Sequence, residues 1–416
     1  MEGLQVSRDG TYFTQQGKPY FYLADTVWFA FSCMHEAEWE AYLDYRKAQN
    51  FNAVQISILP VLHDRTDQSL VSEPFLTGAD GRWDTTRLNK PYFERAARMV
   101  KTAVEKGFTV CLTLLWGNYV PGNWMSELPT SILMPEDQIV PYVSYVSGLF
   151  KPYHPLYFVS GDVNLDHPDT TRYYKLALDC LKEHDPEALA SMHISGNYSN
   201  IPDILAQGMD FYTYQSGHNI ADRRQAYGLA RDFCSRTISL PVVNAEPCYE
   251  GHGQITQPGR HNRYDLRYAF WNSILGGAKA GFAYGVHGVW SWHRRDGVFL
   301  NEKWSKLPYE HDEALRLPGA WDIGFAKWLY DTYELYRLDR FGTAADNEDV
   351  PLAACDSLFA AYLPYSTHIR PGFSLEGYEV TGFLLEDRRV FRPRLCADEI
   401  GMPQLDGDIL LIGQKK

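Results

Sequence analysis

The sequence lacks the pattern of a disulfide framework. Its seven cysteines are an odd number, lie far apart along the chain and include no Cys-x-x-Cys pair. Such spacing predicts reduced, mostly buried thiols of the kind found in the cytoplasm. The first residues have neither the basic start nor the apolar core of a secretion signal. We therefore expect a cytoplasmic protein.

Long apolar runs and an excess of positive charge are also missing. No stretch of 18 apolar residues occurs, so we expect no helix that spans a membrane. Lys and Arg number 39 against 52 Asp and Glu, which gives a formal net charge of −13. Binding to phosphate groups requires a basic face. We therefore expect neither nucleic acid nor a membrane surface as a partner.

Several signatures of cofactor or metal chemistry are absent. No Gly-x-Gly-x-x-Gly follows the first apolar run, which disfavours a doubly wound nucleotide-binding sheet. The sequence also has no His-Glu-x-x-His motif and no Gly-x-Ser-x-Gly motif. We expect no cofactor and no metal. Distant histidines can still converge in a barrel, so a metal-dependent barrel like the sugar isomerases stays an alternative.

Eight short apolar runs alternate with longer amphipathic runs in the first part of the chain. The predicted strands are residues 20–24, 52–58, 109–115, 156–159, 189–193, 211–215, 242–246 and 281–284. This alternation predicts the α/β class, with a (β/α)8 TIM barrel over residues 1–337. A hairpin turning at Asp9-Gly10 precedes it. Trp321, Phe325, Trp328 and Leu329 are expected on the buried face of the closing helix.

The character of the sequence changes near residue 338. Residues 358–363, 378–385, 389–393 and 408–412 are expected strands, with turn residues between them and no helical period. This pattern predicts a small antiparallel β-sandwich over residues 338–416. Its strands have apolar residues enough for a small core but no dense group of Trp, so we expect a structural domain.

Two carboxylates follow strands on opposite sides of the predicted barrel. Asp162 follows the fourth strand and Glu246 follows the seventh. Active sites of such barrels lie at the carboxyl ends of the strands. Two opposed carboxylates hydrolyse glycosides, at a separation of roughly 5–5.5 Å for retention of anomeric configuration and about 6.5–9.5 Å for inversion. Asp162 and Glu246 are therefore the predicted catalytic residues.

Other polar and aromatic residues at the strand ends are typical of sugar recognition. Aromatic residues make up 14% of the chain, and flat rings stack on the C–H faces of sugars. The candidate substrate-binding residues are Asp25, Trp28, Gln55, Trp116, Asn118, Asn164, His193, Gln215, His218, Trp290 and Trp292. Each of them could instead serve the core, and a sugar-binding barrel without catalysis is a second alternative.

Several motifs occur in the order found in one enzyme family. They are Asp25-Thr26-Val27-Trp28, Ser160-Gly161-Asp162, Asn244-Ala245-Glu246-Pro247 and Tyr284-Gly285. In these motifs the sequence resembles the apiosidase-like glycoside hydrolases, and the resemblance covers nearly the whole chain. It implies a barrel with a small C-terminal β-sandwich and a retaining mechanism, with Asp162 as acid/base and Glu246 as nucleophile. The family's known activity removes an apiose-linked side chain from a branched plant pectin.

The substrate is expected to be an oligosaccharide or glycoside of small size. Polymers do not enter the cytoplasm, and this chain shows no export signal, although the family is commonly exported. Trp116, Trp290 and Trp292 would close a pocket if they line the cleft. A closed pocket predicts an exo-acting enzyme that removes one terminal sugar.

Overall fold

A (β/α)8 barrel forms the larger part of the protein. The computed structural model describes residues 2–63, 70–295, 297–403 and 406–415. The eight parallel barrel strands are Tyr22–Thr26, Ala53–Ser57, Thr109–Trp116, Leu156–Gly161, Ala190–Ser191, Tyr212–Tyr214, Val242–Asn244 and Gly281–Tyr284. Each overlaps one predicted strand, which confirms the barrel. The first strand pairs with the eighth, and the sheet closes except between the fifth and sixth strands, where the described residues form no ladder.

A helix follows each barrel strand and covers the outside of the sheet. These helices are Glu36–Ala48, Lys90–Glu105, Glu136–Phe150, Pro168–His184, Asp203–Ala206, Gln225–Cys234, Arg263–Gly276 and Gly319–Thr332. In the second of them Phe93, Ala97 and Val100 are buried at helical spacing, and Gly107 ends the turn with a φ of 88°. Within the described residues, no helix combines the length and apolar composition needed to cross a bilayer.

The protein also contains short strands and short helices outside the eight strands and eight helices of the barrel. An N-terminal sheet consists of Gln5–Val6, Phe13–Gln15 and Lys18–Tyr20, and its first pair confirms the predicted hairpin because Gln5 lies opposite Thr14. A hairpin of Phe75–Thr77 and Trp83–Leu88 follows the second barrel strand. The remaining short helices are Ala30–Cys33, Gly117–Tyr119, Lys151–Tyr153, Ile220–Asp222, Glu302–Ser305, His311–Ala314 and Leu335–Arg337.

The closing helix Gly319–Thr332 differs from the prediction in which of its residues are buried. Trp321 and Trp328 are 41% and 49% exposed, so the prediction that they lie on the buried face is wrong. The helix approaches the barrel through small residues instead. A Cβ atom added to Gly324 would lie within 1.9 Å of the Gln49 carbonyl oxygen, and this close packing leaves no room for indole rings. Leu329 is buried as expected.

The C-terminal part is an antiparallel β-domain. Its six-stranded sheet contains Arg340–Ala344, Asn347–Ala354, Leu358–Leu363, Tyr378–Leu384, Arg389–Phe391 and Ile409–Lys415, and a hairpin of Arg394–Cys396 and Glu399–Gly401 lies beside it. The first two strands were not predicted. In the third strand, Ala360 and Tyr362 pack on the barrel core while Phe359 and Ala361 enter a separate core, which is the alternation that a two-faced sheet requires.

Buried ion pairs join this sheet to the barrel. Arg267, on the helix after the seventh strand, lies 2.7 Å from Asp322 and 2.7 Å from Asp408. The Tyr362 hydroxyl donates to Asp408 at 3.1 Å. All of these charged groups are almost fully buried, and each has a partner of opposite charge, as buried charges require. The two parts of the chain are therefore held in one fixed arrangement.

Candidate active site

A cavity opens at the carboxyl ends of the barrel strands. Its volume is about 190 Å³. Loops that follow seven of the eight strands contribute to its walls, through Trp28, His63, Trp116, Asp162, Gln215, Glu246 and Trp290 among others. Asp162 and Glu246, the two carboxylates predicted to be catalytic, thus face the same cavity.

Glu246 is buried in the wall of this cavity between two histidines. Its Oε1 atom lies 3.0 Å from Nε2 of His218, and its Oε2 atom lies 3.2 Å from Nε2 of His193. Glu246 comes two residues after the seventh strand, while His193 and His218 come two and four residues after the fifth and sixth strands. Three neighbouring strand ends therefore build this cluster.

Main-chain N–H groups fix the orientation of both imidazoles. The N–H of Asp162 donates to Nδ1 of His193 at 3.2 Å, and the N–H of Tyr249 donates to Nδ1 of His218 at 3.3 Å. Because Nδ1 accepts a hydrogen bond in each ring, the neutral ring carries its proton on Nε2. The His218 proton is donated to Oε1 of Glu246 at 3.0 Å. Nε2 of His193 lies 3.2 Å from Oε2 but outside hydrogen-bond geometry, so both rings contact one carboxylate and one of them donates to it.

This arrangement determines the charge of Glu246. Burial by itself raises the pKa of the carboxyl group, but the contacts with His193 and His218 outweigh burial and lower the pKa to about 2. Glu246 is therefore ionised at neutral pH. An ionised carboxylate inside a cavity is suited to attack on an electrophilic carbon and not to the donation of a proton.

Asp162 is placed by a tight turn at the end of the fourth strand. Its φ of 52° lies in the left-handed region, which Asp tolerates better than most residues. A Cβ atom on the preceding Gly161 would lie 2.4 Å from the ring of Trp116, so only glycine fits there. The indole N–H of Trp124 donates to the Asp162 carbonyl oxygen at 3.0 Å. These contacts hold the half-buried Asp162 against the cavity.

Six of the predicted substrate-binding residues lie in this region. Trp28, Trp116, Gln215, His218 and Trp290 line the cavity, and His193 contacts Glu246 from behind. Trp28 donates its indole N–H to the Tyr249 hydroxyl at 3.2 Å, and Trp290 donates to Nδ1 of His287 at 3.2 Å. Three aromatic walls of the cavity thus come from Trp116 at the end of the third strand and from Trp28 and Trp290 on the loops after the first and eighth strands.

Asp25 and Gln55 lie away from the cavity lining, in the interior of the barrel. Asp25 is completely buried, 2.5 Å from the Arg46 guanidinium and 2.6 Å from the Tyr42 hydroxyl. The Gln55 amide donates to Thr26 and to the Ala245 carbonyl, at 3.1 and 3.0 Å. Both side chains already bind other groups of the protein. These contacts indicate that Asp25 and Gln55 stabilise the barrel and do not contact substrate.

Asn118, Asn164 and Trp292 also lie outside the cavity lining. Asn118 is buried, accepts from the Leu62 N–H at 3.1 Å and lies 3.2 Å from Nδ1 of His63. It therefore positions a cavity residue without facing the cavity itself. Asn164 is exposed on the surface. Trp292 is buried against His311, with ring centroids 4.3 Å apart. The positions of these three residues do not support the prediction that they contact substrate in this cavity.

Several cavity residues were not among the sequence candidates. They are Val61, His63, Trp124, Tyr249, His252, Ile255, Phe299, Asn301, Trp304 and Ser305. Most of them lie on loops several residues beyond the strand ends, where no periodicity fixes the direction of a side chain, and Trp304 and Ser305 lie on the short helix Glu302–Ser305. Trp124 and Trp304 are exposed at the rim. A tryptophan in a loop after a barrel strand is the signal that could have found them.

The histidines near the cavity do not form a metal site. In the described part of the chain, no group of three or more His, Cys, Asp or Glu residues has a suitable arrangement. His218 stacks on His252 with ring centroids 4.2 Å apart. Nδ1 of His252 donates to the Gly253 carbonyl and Nε2 of His287 to the Lys306 carbonyl, both at 2.7 Å. These contacts give no support to the alternative of a metal-dependent isomerase.

The comparison with known families identifies the barrel. The family described as "Apiosidase-like, catalytic domain" matches residues 7–337. The chain belongs to the apiosidase-like family. This membership makes the protein a glycosidase, and its substrate is a carbohydrate. The comparison with curated proteins gives no relative that matches the sequence.

Solved structures similar to this apiosidase-like protein include several glycoside hydrolases. One structure named glycoside hydrolase has a TM-score of 0.81 at 18% identity, covering 100% of this chain and 97% of its own. A family 5 glycoside hydrolase from Bacteroides vulgatus ATCC 8482 has a TM-score of 0.80 at 18% identity, with 99% and 93% covered. An exo-β-1,4-mannosidase from Opitutaceae bacterium strain TAV5 has a TM-score of 0.53 at 15% identity, with 80% and 64% covered. At these identities the similarity shows the shared fold.

Proposed function

We propose that this glycosidase retains anomeric configuration, with Glu246 as nucleophile and Asp162 as acid/base. In the first step a Glu246 oxygen bonds to the anomeric carbon, the glycosidic bond breaks, and Asp162 protonates the departing oxygen. In the second step Asp162 takes a proton from water, whose oxygen displaces Glu246 from the anomeric carbon. Both carboxylates return to their starting state.

The assignment of the two roles depends on the surroundings of Glu246. A general acid has to be protonated at working pH, and its pKa has to lie near that pH. The pKa of Glu246 is about 2, because the interactions of its carboxylate with His193 and His218 outweigh the effect of burial. Glu246 therefore suits attack on carbon, which leaves Asp162 on the same cavity as the proton donor. This is the observation that carries the proposal.

We further propose exo action on small plant-derived oligosaccharides or glycosides. Residues at the ends of seven strands or in the loops after them line the cavity, and its small volume of about 190 Å³ favours one terminal sugar over a chain crossing the barrel face. The exposed rings of Trp124 and Trp304 at the rim offer flat surfaces to the group that leaves. Membership of the apiosidase-like family supports a substrate of plant origin.

A panel of aryl glycosides and plant oligosaccharides tests this function. We expect wild-type protein to release a terminal sugar whose first anomer, seen by proton NMR before mutarotation, matches the substrate. Glu246→Ala and Asp162→Ala should both lose this activity on natural oligosaccharides. Azide should restore turnover of Asp162→Ala on an aryl glycoside and give a glycosyl azide of retained configuration.

Three results would contradict the proposal. A first product of inverted configuration would exclude the retaining mechanism. Full activity of Glu246→Ala would show that Glu246 is not the nucleophile. Cleavage of internal bonds in long polymers would exclude exo action. Binding of glycans without hydrolysis of any substrate in the panel would instead identify a sugar-binding barrel that lacks catalysis.

A further inference from the structure

Three large apolar side chains are exposed at the mouth of the active-site cavity. Trp124, Ile255 and Trp304 all line the cavity and are 48%, 41% and 58% exposed. Exposed apolar residues that group around one cavity mark a ligand-binding surface, whereas single ones scattered over a protein are ordinary. We call these three residues the apolar rim. Val298 and Leu300, on either side of the cavity residue Phe299, are exposed as well.

Trp124 lies beside the proposed acid. Its indole N–H donates to the Asp162 carbonyl oxygen at 3.0 Å, and its ring contacts His63 edge to face, with centroids 5.1 Å apart. In the proposed mechanism Asp162 protonates the departing oxygen, so the leaving group has to lie next to Asp162. The Trp124 ring is therefore close to the place where the leaving group departs.

Ile255 and Trp304 lie on two segments that are joined to each other. The Gly253 N–H donates to the Ser305 carbonyl oxygen at 2.8 Å, which connects the loop of Ile255 to the short helix of Trp304. Ile255 has a φ of 59°, in the left-handed region that β-branched residues almost never adopt. Backbone strain of this kind is concentrated at active sites and ligand-binding loops. The fold thus keeps an isoleucine at the mouth of the cavity where Asn or Gly would relieve the strain.

The size and charge of the cavity indicate what the rim contacts. A volume of about 190 Å³ favours one terminal sugar, so the leaving group extends over the rim toward solvent. Asp162 and Glu246 line the cavity, whereas no Lys or Arg is among its described lining residues. The Lys303 ammonium group packs on the Trp304 ring, 5.6 Å from its centroid. A negatively charged leaving group would approach two carboxylates without a cation in the cavity lining to balance them, and an uncharged apolar group would not.

We propose that the apolar rim binds an uncharged apolar aglycone, so that the substrates are glycosides of apolar alcohols or phenols. The sugar enters the cavity, and the side chains of the rim cover the aglycone. Burial of the apolar surface of the aglycone then contributes to binding of the transition state. The inference rests on the proposed glycosidase function and names its leaving group, a class that does not include an acidic pectin backbone.

Methyl and hexyl glycosides of the sugar found by the panel test the inference, because their leaving groups differ in apolar surface and hardly in acidity. We expect kcat/KM of the wild type to be about tenfold higher or more for the hexyl glycoside, since the longer chain buries more apolar surface. In the double variant Trp304→Ala with Ile255→Asn, the ratio of the two values should fall to about twofold or less, because most of that surface stays in water.

Trp328→Ala is the matched control for the ratio. Trp328 is 49% exposed on the closing helix and is not among the residues that line the cavity. Its removal takes away an equally exposed indole, so the ratio should keep its wild-type value. A ratio that fell as far as in the double variant would show a general effect of exposed tryptophans and would contradict the assignment to the rim.

Ile255→Asn alone tests whether Ile255 serves the ligand or the fold. Asn has a similar size and tolerates the left-handed region, so the melting temperature without ligand should stay equal or rise. A lower melting temperature would show that Ile255 stabilises the fold and would contradict its place in the rim.

The outcomes distinguish this inference from the proposed function. If Glu246→Gln abolishes hydrolysis and the wild-type ratio is near one, the function stands and the inference is wrong. Equal ratios in wild type and double variant would show that the rim does not bind the aglycone. Faster release of the sugar from an acidic pectin fragment than from its hexyl glycoside would also overturn the inference. If wild-type protein hydrolyses no glycoside, the function fails and the inference fails with it.

Discussion

The main-chain N–H of Asp162 donates to Nδ1 of His193 at a distance of 3.2 Å. The other nitrogen of this ring lies 3.2 Å from Oε2 of Glu246. One buried imidazole therefore joins the turn that carries the proposed acid to the proposed nucleophile. Its hydrogen-bonding pattern fixes both its orientation and the position of its proton, so it acts as a positioning residue for the pair.

Removal of this ring should change the pH dependence of hydrolysis. His193→Ala takes away one of two contacts that lower the pKa of Glu246. The pKa of Glu246 rises, so the acidic limb of the kcat/KM profile should move to higher pH, and kcat should fall about 100-fold. The control is His184→Ala, an exposed histidine on the helix after the fourth strand. An unchanged acidic limb in His193→Ala would contradict the proposed role.

Asp162→Ala should affect substrates according to their leaving groups. Hydrolysis of glycosides with poor leaving groups should fall about 1,000-fold, because general acid catalysis contributes typically 10²–10⁴-fold. An activated aryl leaving group departs with little protonation, so those substrates should lose much less. Asp166→Ala is the control, since exposed Asp166 accepts from Tyr198 and Asn200 outside the cavity. If Asp166→Ala showed this dependence on the leaving group and Asp162→Ala did not, Asp166 would be the acid instead of Asp162.

The low pKa of Glu246 should also affect stability in acid. Its folded value of about 2 lies below the ordinary value of 4.5, so its ionised form stabilises the folded state. This contribution is complete above about pH 5 and is lost as pH falls toward 2; it amounts to about 3 kcal/mol. Chemical denaturation of wild type and Glu246→Gln between pH 2 and 7 measures it. Parallel curves for the two proteins would contradict the lowered pKa.

The ion pairs between barrel and C-terminal sheet should be essential for stability. Asp408→Ala leaves the buried Arg267 with one of its two carboxylate partners, and breaking a buried pair costs about 3–5 kcal/mol. The control is Asp356→Ala, which removes an exposed partner of Arg340 and should cost about 0–1 kcal/mol. Thermal unfolding compares the two. Equal melting temperatures would show that the interface depends on apolar packing alone.

The barrel could be predicted because each of its strands is an apolar run with both faces buried. All five residues of Ala53–Ser57 are buried, for example. Four C-terminal strands were not predicted, the hairpin of Arg394–Cys396 and Glu399–Gly401 and the first two strands of the sheet, and these first two lack a continuous apolar run. Arg340–Ala344 has a glycine at its centre, and Asn347–Ala354 contains Pro351 together with charged residues, which weaken a strand pattern.

The site was predictable where a strand end determines the position of a side chain. Asp162 and Glu246 follow directly from that rule, and the structure places both on one cavity. Asp25 obeys the same rule but pairs with Arg46, a contact that depends on how the next helix packs. Trp124 reaches the rim on a long loop after the third strand, and Trp304 reaches it on a short helix within the long connection after the eighth strand. Neither the Asp25–Arg46 ion pair nor the course of these loops can be predicted from the spacing of apolar residues along the sequence.

Covalent trapping tests the central claim, that Glu246 is the nucleophile, most directly. A 2-deoxy-2-fluoro glycoside with an activated leaving group, based on the sugar found by the panel, slows the second step and allows a glycosyl-enzyme to accumulate. Peptide mass spectrometry should find one added glycosyl group, attached to Glu246, and no such group in Glu246→Gln. A glycosyl group on Asp162, or hydrolysis with inversion and no trapped intermediate, would contradict the account.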